Sequence, residues 1–543
     1  MIKRRNKVKD KVASAAKGIQ RKSLLSSEER AEFRKYVYPF ENLAFEGGGS
    51  KGVSYVGAIR VLEEIGVWRN MKRFSGTSAG SIGAMLAALS YDSYEIEELI
   101  SINLAKMYFD ASMGMAGLPM LKVRFGLHPG RKFLKWLGDI VAAKLGDPDA
   151  TFADLYNQTG RELCVVAVNV NQLDCEYCHV KTTPDMPIRI AVRMSSAIPG
   201  VVAPVKYKLH GVQELFCDGG LVINYPIHVF DGWFLSMDAG NSFLSRIPDL
   251  HNAAEAWDTS YRFGTEANKG TIGILLYSEA EQEIFKVQLD ERLGKYISES
   301  ASIPDTKFAR LRQKAAEKKD NAAAEHDQLF AALSTFVNLL KDSDVDCNGT
   351  ISRDELKSAL GKAGPEFGKD QRDRLFGKDV SADELFDTID MNKDGEITLN
   401  ELVSFAEQRG IQLRKAFRGF ESRNIENVSE YFDAIVETLL LNMKKIFMRG
   451  RDLHRTIGIN TRYLDTLDFD MEPGDKEFLL QQGKDACMAF LRYHIDVQEL
   501  TERKENDDQL EEKEGNKYVP NKFYSFKRQS KKRSFFKKRS FFK

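Results

Sequence analysis

No stretch of this 543-residue chain approaches the ~20 consecutive apolar residues that a membrane span needs. The N-terminus carries charge but no apolar core region, so a standard secretory signal is not expected, while secretion by another route stays open. Cysteine is scarce. Six in a chain this long do not make a disulfide scaffold. Cys175-Glu176-Tyr177-Cys178 is a lone C-x-x-C. A zinc site usually needs a second such pair, and a thioredoxin-like site needs another context, so free thiols near a strand edge are expected. Such thiols suit a reducing compartment. Net charge is also missing, at zero, which removes total charge as a guide to partners. The zero conceals segregation, because both ends are basic and a stretch before the C-terminus is acidic.

What is present is concentrated between Glu41 and Leu89, where two glycine-rich turns each leave a short apolar strand and open a helix. The first is Gly47-Gly48-Gly49-Ser50-Lys51-Gly52, after Leu43-Ala44-Phe45. The second is Gly76-Thr77-Ser78-Ala79-Gly80, after Arg73-Phe74-Ser75, and it has the G-x-S-x-G spacing of a nucleophile elbow. A serine on so sharp a turn has strained backbone angles and needs small neighbours. Gly76 and Gly80 supply that room, and Ser78 is expected at a helix N-terminus. The first turn offers backbone N–H groups suited to a developing oxyanion. Singly, neither turn decides the chemistry. Gly47-x-Gly49-x-x-Gly52 also has the spacing of a dinucleotide fingerprint and could cradle a phosphate. Together they supply the nucleophile and oxyanion hole that acyl transfer requires.

Downstream, Phe216-Cys217-Asp218-Gly219-Gly220 ends a strand-like run and leads into Asn224-Tyr225-Pro226. With the two turns, these motifs resemble the patatin-like phospholipase family, whose patterns are G-G-G-x-[KR]-G, G-x-S-x-G and D-G-[AG] leading into N-x-P. Ser195-Ser196-Ala197-Ile198-Pro199-Gly200 is similar to the family's segment before its aspartate. The resemblance implies a Ser78/Asp218 dyad, an oxyanion hole from Gly47, Gly48 and Gly49, and a phospholipid or other acyl-lipid substrate. Lys51, Gly52, Gly76, Gly80, Gly219 and Gly220 would support the motifs. Lys51 either orients the glycine loop or is a surface lysine. An ordinary aspartate, pKa ~3.9, is a poor base for a serine, so Asp218 is expected to be partly buried. Three other readings stay in view: a triad recruiting His228 or His251, a transacylase using the same acyl-enzyme, and a calcium-dependent lipid-binding scaffold with little turnover.

Strand and helix signals alternate from about Glu41 to Asp231, which predicts an α/β fold with a parallel-rich sheet covered on both faces. The resemblance implies a three-layer α/β/α sandwich. Thr271 to Ser278 predicts a further strand. The segment around Arg455 to Phe469, with the helix after Asp475, resembles the family's C-terminal part. The expected organisation is therefore a basic extension over 1–37, catalytic parts over 38–296 and 418–496, an inserted module over 297–417, and a charged linker and tail over 497–543.

The insertion carries two segments with the pattern D-x-[DN]-x-[DN]-G-x₅-E. Ca²⁺ takes a shell of oxygens, several of them charged, and a glycine at position six permits the sharp bend. The first loop would use Asp344, Asp346, Asn348, the Thr350 carbonyl and Glu355. The second would use Asp390, Asn392, Asp394, the Glu396 carbonyl and Glu401. Gly349 and Gly395 hold position six, and Ile351 and Ile397 are expected to pair across a short ribbon. Amphipathic flanks such as Leu333, Phe336 and Leu340 complete an all-α EF-hand pair with two calcium sites.

The ends are basic. Residues 1–22 hold one acid, Asp10, against nine lysines and arginines, with Val8, Val12, Ala15 and Ile19 at helical spacing. Residues 517–543 hold no acid and end in two copies of Lys-Lys-Arg-Ser-Phe-Phe. Cations with interfacial phenylalanines suit an anionic membrane better than nucleic acid in a lipid-directed chain. The expected location is cytoplasmic with peripheral membrane association.

Overall fold

The computed structural model describes residues 21–503 apart from 102–103, 111–124, 247–248, 250, 252–256, 280–284, 299–300, 344–347, 363–366, 379, 409–424, 426–427 and 499. The N-terminal helical spacing and the basic-aromatic repeat thus lie outside the described residues. The chain divides into two compact units, Met1–Phe308 with Phe432–Lys543, and Ala309–Tyr431. Among the described residues no helix is long and apolar enough to cross a membrane.

In chain order the strands are β1 (Asn42–Phe45), β2 (Arg73–Thr77), β3 (Gly126–His128), β4 (Glu162–Asn169), β5 (Asp174–Cys178) and β6 (Gly200–Val202). They continue with β7 (Val205–Leu209), β8 (Val212–Asp218), β9 (Thr271–Tyr277), β10 (Ile351–Ser352), β11 (Glu396–Ile397) and β12 (Thr456–Asn460). The first unit is built on an eight-stranded sheet of order β12-β9-β1-β2-β4-β8-β7, with β5 also paired to β4. β12, β9, β1, β2 and β4 run parallel, whereas β8, β7 and β5 are antiparallel to their neighbours. Every residue of β1, β9 and β12 is buried, as expected of largely apolar strands that helices cover on both faces. At the edge, β7 alternates, and Lys206 and Lys208 face water. Cys175 and Cys178 lie three residues apart on β5, so their side chains point to opposite faces and cannot share a metal. The five cysteines of the described residues are free thiols.

Register brings distant motifs to one level. β2 pairs Thr77 with Val166 of β4, and β4 pairs its next residue, Ala167, with Asp218 of β8. Ser78 and Asp218 therefore emerge side by side across the end of β4. β1 pairs Phe45 with Gly76, so the glycine turn after Glu46 leaves the sheet at the same edge.

The helix Ala79–Ala88 is buried from Gly80 onward, as its apolar sequence demands. The helix Tyr55–Glu64 is buried from Tyr55 to Leu62 and packs against the long C-terminal helix Pro473–Gln498. Their backbones nearly touch. A Cβ at Gly57 would overlap the Leu480 carbonyl, and one at Gly483 would overlap the Ser54 carbonyl. The segment expected as an extension is partly core. Ser27–Arg34 is a helix with a Ser26/Glu29 capping box, and Leu25 and Phe33 are buried among the sheet's residues. Val37 donates its N–H to the Thr501 carbonyl, which draws residues after 496 into the fold as well.

The second unit has its own core, including Leu333, Phe336, Leu356, Phe386 and Phe405. β10 and β11 pair antiparallel with Ile351 opposite Ile397. Gly349 and Gly395 both have positive φ, at 79° and 89°, at the sixth loop positions.

The helix contact gives a test in which two effects oppose. Alanine favours a helix interior by ~1 kcal/mol over glycine. The overlap at Gly483 costs about 1–3 kcal/mol of overpacking. Gly483→Ala should therefore lower the thermal midpoint by a few degrees; an unchanged or raised midpoint would show that the two helices can separate freely.

Candidate active site

Ser78 ends β2 and caps the helix Ala79–Ala88 with φ 52° and ψ −124°, a left-handed conformation that side chains rarely adopt. The turn is held from several sides. A Cβ at Gly76 would overlap the Gly80 carbonyl, and one at Gly80 would meet the Phe45 and Glu46 carbonyls. The Ser78 N–H donates to Ser195 Oγ at 2.9 Å, and the Ser78 carbonyl accepts from Ser81 Oγ at 2.6 Å. Thr77 Oγ1 donates to the Ile223 carbonyl at 2.8 Å.

The Ser78 hydroxyl donates to Asp218 Oδ2 at 2.8 Å. The other carboxylate oxygen, Oδ1, accepts the Gly220 N–H at 2.8 Å. The Asp218 N–H is itself anchored on the Ala197 carbonyl. Asp218 is 5% exposed. Loss of water pushes its pKa up from 3.8 to about 7, while the bonds from Gly220 and Ser78 pull it back down. Gly219 is small because a Cβ there would overlap the Val166 carbonyl.

The glycine turn lies against this pair. A Cβ at Gly47 would come 3.1 Å from Ser78 Cβ and would overlap Asn224 Oδ1. Here the geometry departs from the expectation for Gly47, whose N–H already donates to the Asn224 carbonyl at 2.9 Å. Among the described residues, the N–H groups of Gly48 and Gly49 meet no acceptor. Gly49 has φ 54°, and a Cβ there would strike the Thr466 carbonyl. Lys51 is not a surface lysine: it is 3% exposed and lies under Gly48. Gly52 is buried in the short helix that the turn opens.

Neither histidine considered for a triad faces the Ser78/Asp218 pair. His228 is buried against Phe263 and Phe447, and its two ring nitrogens have no hydrogen-bond partner. Burial and the nearby arginines, Arg455 first among them, push its pKa down to about 3. His251 is exposed. Neither pairs with Asp218, so a triad has no geometric support.

Sequence reasoning passed over four contributors. Ser195 holds the nucleophile's N–H. Asn224, legible only as the N of N-x-P, donates to the Gly47 carbonyl at 2.9 Å and to Glu46 Oε1 at 3.2 Å. Glu46 is 1% exposed and also accepts the Leu276 N–H at 2.7 Å. Lys444 reaches Glu46 Oε1 at 2.6 Å. An acid directly before three glycines in a buried strand signals a buried partner, but nothing local marks Lys444 as that partner.

In the second unit, the described residues of the calcium-type loops bond mainly among themselves. Among the described residues no three acidic, cysteine or histidine side chains converge as a ready cation cage. Glu401 accepts the N–H groups of Met391, Asn392 and Thr398, and Glu355 accepts that of Ser352. Asp390 is buried, and its Oδ1 has no hydrogen-bond partner among the described residues. Asn392 and Asp394 are exposed and bond within the loop. Thr350 donates to the Glu396 side chain, and its N–H donates to Asn348 Oδ1. Asp344 and Asp346 lie outside the described residues.

The family model for patatin-like phospholipase matches residues 43–231, which contain every group of the site but Lys444 and Leu276. Residues 43–231 are a patatin-like phospholipase domain. An EF-hand domain pair matches 338–407. The chain is similar to the uncharacterized protein YqhO of Bacillus subtilis, at 36% identity over 34% of this chain and 65% of that one. It is 29% identical to the probable lipid hydrolase 463L of Invertebrate iridescent virus 6, over 35% of this chain and 63% of that one. Triacylglycerol lipase ptl2 of Schizosaccharomyces pombe is 27% identical over 38% of this chain and 33% of its own. The matches thus span somewhat under two thirds of the first two relatives' length.

The patatin-like site carries a pH signature. As a base for Ser78, Asp218 would have to be ionised, and its pKa is raised. Labelling of Ser78 by a fluorophosphonate should therefore fall roughly tenfold per pH unit below about 7. A rate that is flat down to pH 5 would mean that Asp218 is not the base.

Proposed function

We propose that this chain is a serine lipid acyl hydrolase of phospholipase A or lysophospholipase type, working by a Ser78/Asp218 dyad at membrane surfaces. The observation that carries the reading is the 2.8 Å bond from Ser78 to a buried aspartate, which among the described residues has no hydrogen bond to a histidine. The names of two relatives, a probable lipid hydrolase and a triacylglycerol lipase, point the same way.

In this mechanism Ser78 Oγ bonds to the ester carbonyl carbon while its proton passes to Asp218. The carbonyl oxygen becomes an oxyanion facing the N–H groups of Gly48 and Gly49, reinforced by the N-terminus of the helix Ala79–Ala88. The C–O bond then breaks, and Asp218 returns the proton to the leaving alcohol. Water repeats the sequence on the acyl-enzyme, with Asp218 again as base. An alcohol in place of water would give transacylation.

We further propose that the EF-hand pair binds Ca²⁺ and regulates the hydrolase. Asp390, Asn392, Asp394, the Glu396 carbonyl and Glu401 would form one shell, and the unpartnered Asp390 oxygen fits that role. Asn348, Thr350 and Glu355, with Asp344 and Asp346, would form the other. Glu401 must exchange its backbone donors for the ion, which couples binding to movement of the exiting helix. The chain leaves the hydrolase unit for this module and returns to it, so such movement has two covalent routes back.

Fatty-acid release from mixed anionic phospholipid vesicles tests the whole reading. Wild type should release fatty acid, Ser78→Ala should lose at least ~10³-fold while still sedimenting with vesicles, and chelation should change the wild-type rate at least twofold. Release that survives in Ser78→Ala would sink the dyad; release indifferent to chelator would sink calcium control. Calorimetric titration isolates the loops. Glu401→Gln, which removes one charged ligand, should weaken one of two Ca²⁺ binding events tenfold or more and leave the other. Two unchanged events would place Ca²⁺ elsewhere.

A further inference from the structure

Lys444 lies far along the chain from the glycine turn, yet it closes a buried network directly behind it. Its ammonium sits 2.6 Å from Glu46 Oε1, with the two side chains 11% and 2% exposed. Glu46 Oε1 also accepts from Asn224 Nδ2, and Oε2 accepts the Leu276 N–H. Asn224 Nδ2 donates onward to the Gly47 carbonyl, and the Asn224 carbonyl accepts the Gly47 N–H. The Gly48 N–H belongs to the same peptide as that Gly47 carbonyl, and the Gly49 N–H to the next.

We propose that Lys444 is a positioning residue for the oxyanion hole, acting through Glu46 and Asn224. The proposal rests on the reading of Gly48 and Gly49 as the oxyanion donors. A carboxylate as buried as Glu46 keeps its charge only when a cation and good donors surround it. Lys444 supplies a full positive charge at contact distance. Without it, the balance of donors around the Glu46 carboxylate shifts, and its bonds to Asn224 and Leu276 change. Asn224 grips Gly47 by both its side chain and its backbone, so the turn follows. Oxyanion donors act only when pre-aimed at the developing charge, and loss of one costs about 10²–10³ in turnover.

The lysine is itself held in place. It lies in the last turn of the helix Val428–Phe447. Three residues on, Phe447 stacks on His228 with ring centroids 5.5 Å apart and planes 20° apart. Met448 is buried in a cluster with Tyr225 and Leu289. Tyr225 directly follows Asn224, so the lysine and the asparagine are fixed by one packed group.

The role makes a prediction that a purely structural lysine does not. In Lys444→Met, kcat on a short-chain lysophospholipid should fall ten- to a hundredfold, with KM within about twofold and the melting midpoint within a few degrees. Lys444→Arg, which keeps the charge, should recover most of kcat. Glu46→Gln with Lys444→Met should exceed Lys444→Met alone, because the carboxylate that the ammonium balanced is then neutral as well. Ser78→Ala, measured alongside, reports on the underlying reading by itself. An inactive Ser78→Ala with an unchanged kcat in Lys444→Met would overturn the positioning role alone. A raised KM at constant kcat, or losses in all lysine variants that track the unfolded fraction, would overturn it too. Turnover that persists in Ser78→Ala would remove both proposals.

Discussion

A carboxylate taken out of water beside a strained serine is the constraint on which this molecule turns. Charge is costly in a low-dielectric interior, and Asp218 keeps it only through hydrogen bonds from Ser78 and Gly220. Those donors must arrive at fixed distances, so the ends of β2, β4 and β8 must stay in register. The five parallel strands and the buried helices on them supply that rigidity. The glycines follow from the same demand, since a serine raised clear of the sheet needs bare backbone on either side. Gly76, Gly80 and Gly219 each sit where a Cβ would run into a neighbouring carbonyl.

A second buried acid does for the glycine turn what Asp218 does for the nucleophile. Glu46 gathers Asn224, Leu276 and Lys444 from three separate stretches of the chain. Asp218 has neutral donors and a raised pKa, which suits a group that must take up and release a proton. Glu46 has an ammonium at contact distance, which suits a group that must hold its charge and stay still. The two proposed roles, base and strut, thus differ in the partners of the acid rather than in its residue type.

How far all this could be read from sequence depends on distance along the chain. Ser78, Asp218, the glycine turn and the loops ending at Glu355 and Glu401 were legible because each motif is local, and local backbone geometry dictates the residue types. The pairing of Ile351 with Ile397 followed from loop chemistry for the same reason. Lys444 was not legible, since a lysine in an amphipathic helix ordinarily faces water. The engagement of the Gly47 N–H was hidden too, because a sequence shows which backbone groups are unhindered but not which are already bonded. Leu25 and Phe33 sit in a segment expected to be a basic extension, yet both are buried in the core beside a helix with a capping box.

Topology links the two units in one more respect. The chain re-enters the hydrolase unit at Phe432, within the helix that ends beside Lys444 and Phe447. A helix is stiff along its axis, so the last turn that carries Lys444 moves with the turns before it. At the far end stands a buried ion pair, whose energy changes steeply with separation because little water screens it. A soft surface contact would absorb such a displacement unnoticed. A lysine locked to Glu46 would pass it to Asn224 and to the glycine turn, where oxyanion stabilisation tolerates little misplacement. Calcium control would then need no new contact near Ser78, only a change in how firmly one helix end is held.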